Sequence, residues 1–331
     1  MYARNAYSFW APIDQAYLTS LVDFANWKGL LYASPFWTQC FWTSLDYNQV
    51  GSLPPDQVAS LDYAAATTAL AANQLTGTAI TYRTLIQGVA PASTVSAAGL
   101  ATGAVAPDSM ITIFGTNLAT GTASAGSLPL PATLASTTAT IQDSSGNQQP
   151  LQFFYVSPGQ INAAIPPGLS SGAAVITISS EGAVVAQSDV TLASVAPTLF
   201  TANQNGQGVP IGLVVTAQGN GSLVTSYAST FQGNAVGSYA PVPIQLGGAG
   251  TETVLELYGT GIRGAASLSN VTVTIGTVNA PVQYAGPADP SQFVALDQVN
   301  VSLPQSLAGA GQVNLTLRVN GVAAPPVTLD F

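Results

Sequence analysis

Apolar residues recur at helical spacing in two stretches near the start of the chain. The first lies between Pro12 and Lys28-Gly29, where apolar residues return every three or four positions, and it predicts a helix. The second opens at Pro54-Pro55-Asp56, runs through an alanine-rich stripe and ends at Asn73–Gly77, which predicts another helix because proline is tolerated in a first turn. Thr78–Ile86 follows with β-branched and aromatic residues in alternation, and it predicts a strand.

From Gly88 the pattern changes to short alternating runs that are separated by Gly, Ser, Asn and Asp turns. Seven runs of this kind fall within about one hundred residues, the spacing of an immunoglobulin-like β-sandwich. The predicted strands are Thr94–Ser96, Met110–Phe114, Thr137–Gln142, Leu151–Tyr155, Gln160–Ile165, Ala174–Ser179 and Val184–Leu192.

The β region contains an internal repeat. Met110–Leu118 returns as Val254–Ile262, 144 residues later, and Val190-Thr191-Leu192 returns as Val327-Thr328-Leu329, 137 residues later. A drifting offset is what loop-length changes between two copies of one domain produce. Between the copies, an Asn220-Gly221 turn predicts a hairpin.

The predicted fold class is therefore mainly β, with two tandem antiparallel sandwiches and a smaller, partly helical N-terminal segment. The predicted boundaries are an aromatic-rich segment at 1–87, a first sandwich at 88–196, a hairpin bridge at 197–240 and a second sandwich at 241–331.

Aromatic residues are concentrated in the first 50 positions, which contain every tryptophan of the chain. These side chains either pack on the β-domains and on one another, or form a contact with a neighbouring subunit, since tryptophan and tyrosine dominate interface hot spots. The second interpretation predicts interface anchors at Trp10, Trp27, Trp37 and Trp42.

Charge excludes several classes of partner. The formal net charge is −9 with only five basic residues, whereas nucleic acids and anionic lipid surfaces require clustered Lys and Arg. The single cysteine, Cys40, excludes an intrachain disulfide framework, and its aromatic neighbours predict a buried, inert thiol. Few charges with many Thr, Ser and Gly residues suit an exported protein whose surface tolerates close contacts.

The residue set also argues against an enzyme or a cofactor protein. The chain contains no histidine, which removes Ser-His-Asp, Cys-His and HExxH arrangements. Asp143, Asp289 and Asp297 could each contribute to a calcium site, but plain turns are favoured because the dense Asp spacing of a calcium loop is missing. Glu252 and Glu256 lie four apart beside a strand and are interpreted as solvated acids. No catalytic residue, cofactor or metal is predicted.

Neither a signal peptide nor a membrane span is predicted. Met1–Trp10 has no apolar core followed by a small-residue cleavage site. The most apolar stretch, Trp27–Trp42, is interrupted by polar residues and falls short of the roughly 20 apolar residues of a spanning helix.

Five segments of the β region carry a family resemblance: VAPDSMITIFGTNLA, VSPGQINAAIPPGL, VAPTLFTANQNGQG, LYGTGIRGAASLSNVTVTIG and LDQVNVSLP. In this order they resemble the uncharacterised C-terminal domain of secreted acidobacterial (Solibacter-type) proteins. The strand that ends in FGTNL also resembles IPT/TIG domains, the immunoglobulin-like modules of cell-surface proteins. The resemblance covers roughly residues 88–331 and implies a pair of β-sandwiches and an extracellular location. It carries no known active site.

The sequence favours a non-enzymatic extracellular structural protein that self-assembles into a filament, sheath or surface layer, with copies of itself as partners. A cell-surface adhesin or carbohydrate-binding module that stacks its aromatic rings on surface polysaccharide is the alternative. An accessory subunit of a larger complex is a third hypothesis.

Overall fold

The structure is a computed structural model that describes residues 7–30, 35, 39–71, 75–87, 89–100, 102–218, 223–233, 239–248 and 250–331. The helices lie in the first 87 residues, called the head below. They are α1 (Ala11–Lys28), α2 (Tyr47–Val50), α3 (Pro55–Ala71) and α4 (Gly77–Gln87). Single 3-10 turns occur at Ser8–Trp10, Gln39–Phe41, Leu268–Asn270 and Gln305–Leu307.

Both helices that the sequence predicted are present, as α1 and α3. Proline in the first turn starts α1, and Gly29 ends it with a left-handed φ of 64°, its N–H donating to the carbonyls of Ala25 and Asn26. Leu18, Val22 and Ala25 form the buried face of α1, which packs against α4. The helical pattern of this stretch thus has a packing partner within the head.

The strand predicted at Thr78–Ile86 is wrong, because the segment forms helix α4. Thr76 caps its start: the N–H of Ala79 donates to the Thr76 hydroxyl (3.3 Å), as in an N-cap. Ala79 is buried, and the Tyr82 ring stacks on Phe41 with ring centroids 5.3 Å apart. The Thr76 cap and the packing on α1 outweigh the β propensity of this segment.

The first sandwich consists of β1 (Ala90–Pro91), β2 (Ser93–Ser96), β3 (Met110–Phe114), β4 (Ala123–Ser124), β5 (Thr133–Leu134), β6 (Thr137–Gln142), β7 (Gln148–Pro150), β8 (Gln152–Val156), β9 (Gln160–Ala164), β10 (Gly172–Ser180) and β11 (Ala183–Leu192). One sheet has the order β2-β3-β9-β8-β4, and the other has the order β1-β11-β10-β6-β5 with β7 beside β6. This two-sheet arrangement is that of immunoglobulin-like sandwiches.

The second sandwich and a small hairpin follow, built from β12 (Thr198–Leu199), β13 (Gly212–Gln218), β14 (Leu223–Ser229), β15 (Phe231–Gly233), β16 (Tyr239–Pro241), β17 (Thr251–Thr260), β18 (Val271–Ile275), β19 (Val278–Ala280), β20 (Val282–Pro287), β21 (Asp297–Ser302), β22 (Val313–Val319), β23 (Val322–Ala323) and β24 (Val327–Leu329). One sheet has the order β14-β13-β17-β21-β20 with β12 beside β17. The other has the order β19-β18-β22-β23 with β24 beside β22, and β15 and β16 form a two-stranded sheet.

Strand pairing in the second sandwich repeats that of the first. The run β3-β9-β8 corresponds to β17-β21-β20, and β7-β6-β10 corresponds to β19-β18-β22. A parallel bridge between Val105 and Leu192 has its counterpart between Pro243 and Asp330, 138 residues later at both positions. Each sandwich has its own buried aliphatic core, in which Ile113 and Leu257 hold equivalent positions. The mainly β architecture that the sequence predicted is confirmed.

The predicted hairpin is formed by β13 and β14, while its Asn220-Gly221 turn lies outside the described residues. It is not a separate bridge, however, because β13 pairs along its whole length with β17. Alternate residues of β13 face inward, and Val214 belongs to the same core as Leu257. The strands of the second sandwich therefore begin at Thr198 rather than at the predicted residue 241.

The two sandwiches meet in a polar joint around Arg263, and together they are called the rod below. The Arg263 guanidinium donates to Asp108 of the first sandwich (2.9 Å) and to Asp297 of the second (2.6 Å). Asp297 is fully buried and also accepts the backbone N–H of Ile262 (2.7 Å). A second link is the N–H of Met110, which donates to the Thr260 hydroxyl (2.8 Å). These bonds fix one sandwich against the other.

Candidate interaction surface

The four tryptophans proposed as interface anchors lie in different environments. Trp27 is 73% exposed, near the end of α1. Trp10, beside Phe9 at a centroid distance of 5.1 Å, and Trp42 are both half-buried. Trp37 lies outside the described residues. Trp27 is therefore the most exposed of the described tryptophans, and all four interface assignments stay predictions.

Helix α1 has a second apolar face, which points away from α4. Successive residues of this face are four, seven and three positions apart in the sequence, so they lie on one side of the helix. Each of them is about half exposed or more. They are Ile13 (57%), Tyr17 (49%), Phe24 (50%) and Trp27 (73%), called the α1 stripe below. Three aromatic rings and an isoleucine at these exposures leave on the order of 400 Å² of apolar surface in water. Exposed patches of this size are often functional.

Not all head aromatics are available to a partner, because several cover one another. The rings of Tyr7 and Phe9 stack at 5.6 Å, and Tyr47 meets both edge-on at 5.1 and 5.7 Å. This cluster supports the interpretation that part of the aromatic content packs within the segment. The residues of the α1 stripe do not belong to this cluster.

An apolar groove runs along the joint between the sandwiches. It has a volume of about 370 Å³ and is lined from both sides, by Met110, Leu128 and Phe154 of the first sandwich and by Phe293 and Val294 of the second. Phe293 is 49% exposed and Leu128 is 42% exposed. A large apolar group could therefore enter the groove from solvent.

A larger and more polar cleft separates the head from the first sandwich. Its volume is about 840 Å³, and its lining includes Arg83, Gln142 and Asp189. Arg83 reaches both carboxylate oxygens of Asp189 at 3.1 Å and so links α4 to β11. The cleft is lined mainly by small and hydroxyl-bearing residues, whose hydroxyl groups can form hydrogen bonds with a ligand.

The three aspartates weighed as calcium ligands are occupied by protein donors. Asp143 accepts from the backbone of Ser145, Asn147 and Ser170, at 2.7 to 3.0 Å. Asp289 accepts from Ser291 and Gln292, and Asp297 from Arg263. Within the part of the chain that the structure describes, no cluster of three or more Cys, Asp or Glu side chains could hold a metal ion.

Replacement of Asp143 with asparagine is expected to lower the Tm. The hydrogen bonds from Ser170 and Ser145 hold the pKa of the Asp143 carboxyl down at about 2, below its ordinary 3.8. A depressed folded-state pKa stabilises the fold above about pH 4, and this contribution is lost as the pH falls through about 2. The Tm gap between the wild type and Asp143→Asn should thus be widest at pH 5 and should narrow toward pH 2. Glu181→Gln, at an exposed position of the same sandwich, is the control.

Cys40 is half-buried rather than fully buried. Burial, with a smaller contribution from the negative charge of Asp14, raises the pKa of its thiol to about 11. Because the thiolate is the reactive species, the thiol is a poor nucleophile near neutral pH. The other acids noted in the sequence, Glu252 and Glu256, both lie on β17, where Glu252 accepts from Ser302 (2.9 Å) and Glu256 from Tyr258 (3.4 Å).

Sequence reasoning missed the Arg263 joint and the groove beside it, and it did not separate the two faces of α1. The spacing of Ile13, Tyr17, Phe24 and Trp27 was a usable signal, since it differs in phase from the buried positions of the same helix. No comparable signal existed for Arg263, because Asp108 lies 155 residues away in the sequence.

Comparisons with known proteins leave the family open. No protein-family model matches the chain, and no curated protein matches it, so the resemblance to acidobacterial and IPT/TIG domains stays a prediction. Among solved structures, the chain is similar to domains 5–6 of the S-layer protein SbsC. The identity is 12% and the TM-score is 0.23, over 72% of this chain and 96% of that one. Among the described residues, none of the helices has the length and apolar character needed to cross a membrane.

Proposed function

We propose that this chain is a non-enzymatic, extracellular structural protein that self-assembles through its head into a filament, sheath or layer. The observation that supports the proposal is the α1 stripe, an apolar face that is about half exposed on a helix whose opposite face is buried. The stripe is on the order of 400 Å², about half of the roughly 800 Å² that each partner buries in a standard interface.

A rigid rod behind the head suits a structural role. The Arg263 joint connects the two sandwiches through the ion pair with Asp108, which favours one arrangement of the two domains. The rod contains few charged residues that would oppose close packing, and its sheets end in edge strands such as β14 and β20. A contact between the head of one subunit and a different surface of the next would be heterologous, and such contacts repeat into rings or open filaments.

The test is the association state of the intact protein with and without the α1 stripe. We expect the wild type to form concentration-dependent polymers or large particles, seen by analytical ultracentrifugation and negative-stain electron microscopy. Replacing Ile13, Tyr17, Phe24 and Trp27 together with glutamine should give a folded monomer, because these side chains do not contribute to the α1–α4 core. Leu61 and Tyr63, exposed on α3, provide a matched control when both are changed to glutamine. A wild type that stays monomeric at high concentration would refute the proposal.

Carbohydrate binding remains the second candidate, and the polar cleft of about 840 Å³ is the observation that favours it. Its hydroxyl, amide and carboxylate groups match the hydrogen bonding of sugars, although its described lining contains no aromatic ring on which a sugar could stack. Two results together would favour this function over assembly. The wild type would be a monomer that is retained on surface polysaccharide, and the Gln142→Ala variant would not be retained.

A further inference from the structure

We propose that Trp27 and Lys28 at the end of α1 dock into the apolar groove at the sandwich joint of a second copy of this chain. This inference rests on the proposed assembly and names its two contacting surfaces. Trp27 supplies the apolar group, and Lys28 lies beside it as the only lysine of the chain. The Lys28 Nζ is 3.6 Å from the centroid of the Trp27 ring, so the cation and the ring are presented together.

The groove has the character that a tryptophan requires. Its volume of about 370 Å³ lies at the lower end of the range for small-molecule pockets. Its walls are Met110, Phe154, Phe293 and Val294, and sulfur and aromatic edges pack well against an indole ring. Trp27 is 73% exposed, so the chain does not fill its own groove with this residue.

Charge favours the rod of a second copy as the partner of Lys28. Residues 88–331 contain nine acidic and two basic residues, a net charge of −7. Both arginines of the rod are engaged: Arg263 lies in the joint, and Arg318 donates to the Gly321 carbonyl (3.3 Å). The net negative charge of the rod therefore attracts a cation.

One acid lies next to a residue that lines the groove. Asp289 is exposed and accepts a hydrogen bond from Gln292, which lines the groove next to Phe293. The bonds from Ser291 and Gln292 lower the pKa of Asp289, so the carboxylate stays charged. With Trp27 in the groove, Lys28 on the neighbouring position would face this rim. The proposed contact therefore pairs Trp27 with the groove and Lys28 with the acid beside it.

Such a contact joins unlike surfaces, with the end of the head on one side and the middle of the rod on the other. Each subunit keeps a free groove after its own Trp27 has docked, and a free Trp27 after its groove is filled. The contact consequently repeats from subunit to subunit. The remainder of the α1 stripe would lie along the rod of the neighbour and add to the buried area.

Cross-linking between two single-cysteine variants tests the contact directly. In a Cys40→Ser background, Asn26→Cys reports on the end of α1 and Ser127→Cys on the groove, and both positions are exposed. Mild oxidation of the mixture should give a cross-link between the two different variants and little cross-linking within either variant alone. A dominant Asn26→Cys self-cross-link would overturn the inference in favour of α1–α1 pairing.

Affinity measurements provide an independent readout. Trp27→Ala should weaken association about 30-fold, the effect of losing an aromatic hot spot, whereas Tyr63→Ala, at a 77% exposed ring of α3, should change it less than about twofold. Lys28→Asp and Asp289→Lys should each weaken association about fivefold, and the double variant should recover most of the loss. Assembly that is unaffected by all of these changes would refute this contact but leave the proposed function standing. A protein that does not assemble at all would refute both.

Discussion

Replacing Arg263 with methionine is expected to lower the free energy of unfolding by about 3–5 kcal/mol, the cost of breaking a buried ion pair by removing one partner. Methionine keeps most of the apolar stem but leaves the Asp297 carboxylate, which is fully buried, without its cation. The same change removes the bond to Asp108 across the joint (2.9 Å). Chemical denaturation followed by intrinsic fluorescence and circular dichroism measures the loss.

Two further variants separate the ion pair from general effects of the substitution. Arg318→Met removes an arginine of the second sandwich that is exposed, and it should cost less than about 0.5 kcal/mol. The double variant Arg263→Met/Asp297→Asn removes the unpaired charge while keeping an acceptor for the Ile262 N–H, so it should recover part of the stability. If Arg263→Met is as stable as Arg318→Met, the joint does not hold the sandwiches together.

The second large effect is expected for Gly261→Ala, in the loop that the linker between the sandwiches packs against. Gly261 has a φ of +73°, and a Cβ there would overlap the carbonyl oxygen of Ala196. The Ala196 N–H also donates to the Gly261 carbonyl (2.9 Å), so the linker cannot retreat without losing that bond. Left-handed strain of about 1–2 kcal/mol and the backbone clash together should destabilise the second sandwich by more than about 2 kcal/mol.

Gly309→Ala isolates the clash from the strain. Gly309 has nearly the same dihedral, φ +72°, but a Cβ there would meet no atom within 4 Å. It should therefore show only the strain, about 1–2 kcal/mol. The excess loss of Gly261→Ala over Gly309→Ala measures how tightly linker and loop pack. If both variants lose the same free energy of unfolding, the linker moves away from the new Cβ at little cost, and its packing against the Gly261 loop is loose.

Both predictions concern the joint, and the proposed docking groove lies beside it. Met110 lines the groove, and its N–H bonds Thr260 of the other sandwich. Loosening the joint would therefore change the shape of the groove as well as the stability of the rod. We expect Arg263→Met to weaken assembly, whereas Trp27→Ala weakens assembly and leaves unfolding of the rod unchanged.

Much of the fold could be predicted from the sequence because its signals are local. Alternation between inward and outward residues, with Gly and Asn turns, located the β region, and the repeat at Met110 and Val254 showed that the sandwich occurs twice. Proline at the start and glycine at the end located α1. The absence of histidine, which excludes several common catalytic arrangements, could likewise be seen without a structure.

The errors arose where several contacts compete for one segment. The residues after Gly77 have β propensity, and only the Thr76 cap together with packing against α1 makes them a helix. The hairpin after Gly212 had a clear turn signal, but its place in a sheet depended on an open edge at β17 that the hairpin itself does not encode. Propensity and turn chemistry describe a segment, whereas its neighbours determine where it packs.

For the interaction surface, the sequence by itself determined three features. They are the concentration of aromatic residues in the first 50 positions, the low number of basic residues, and the position of the only lysine, Lys28, next to Trp27. Only the tertiary structure decided which aromatics stay exposed, because burial of Leu18, Val22 and Ala25 against α4 assigns the inner face of α1 and leaves Trp27 outside. The groove likewise forms where the two sandwiches meet, beside the bond between Arg263 and Asp108, which are 155 residues apart in sequence. Contacts at such separations depend on the folded topology of both domains, and no local pattern of residues encodes them.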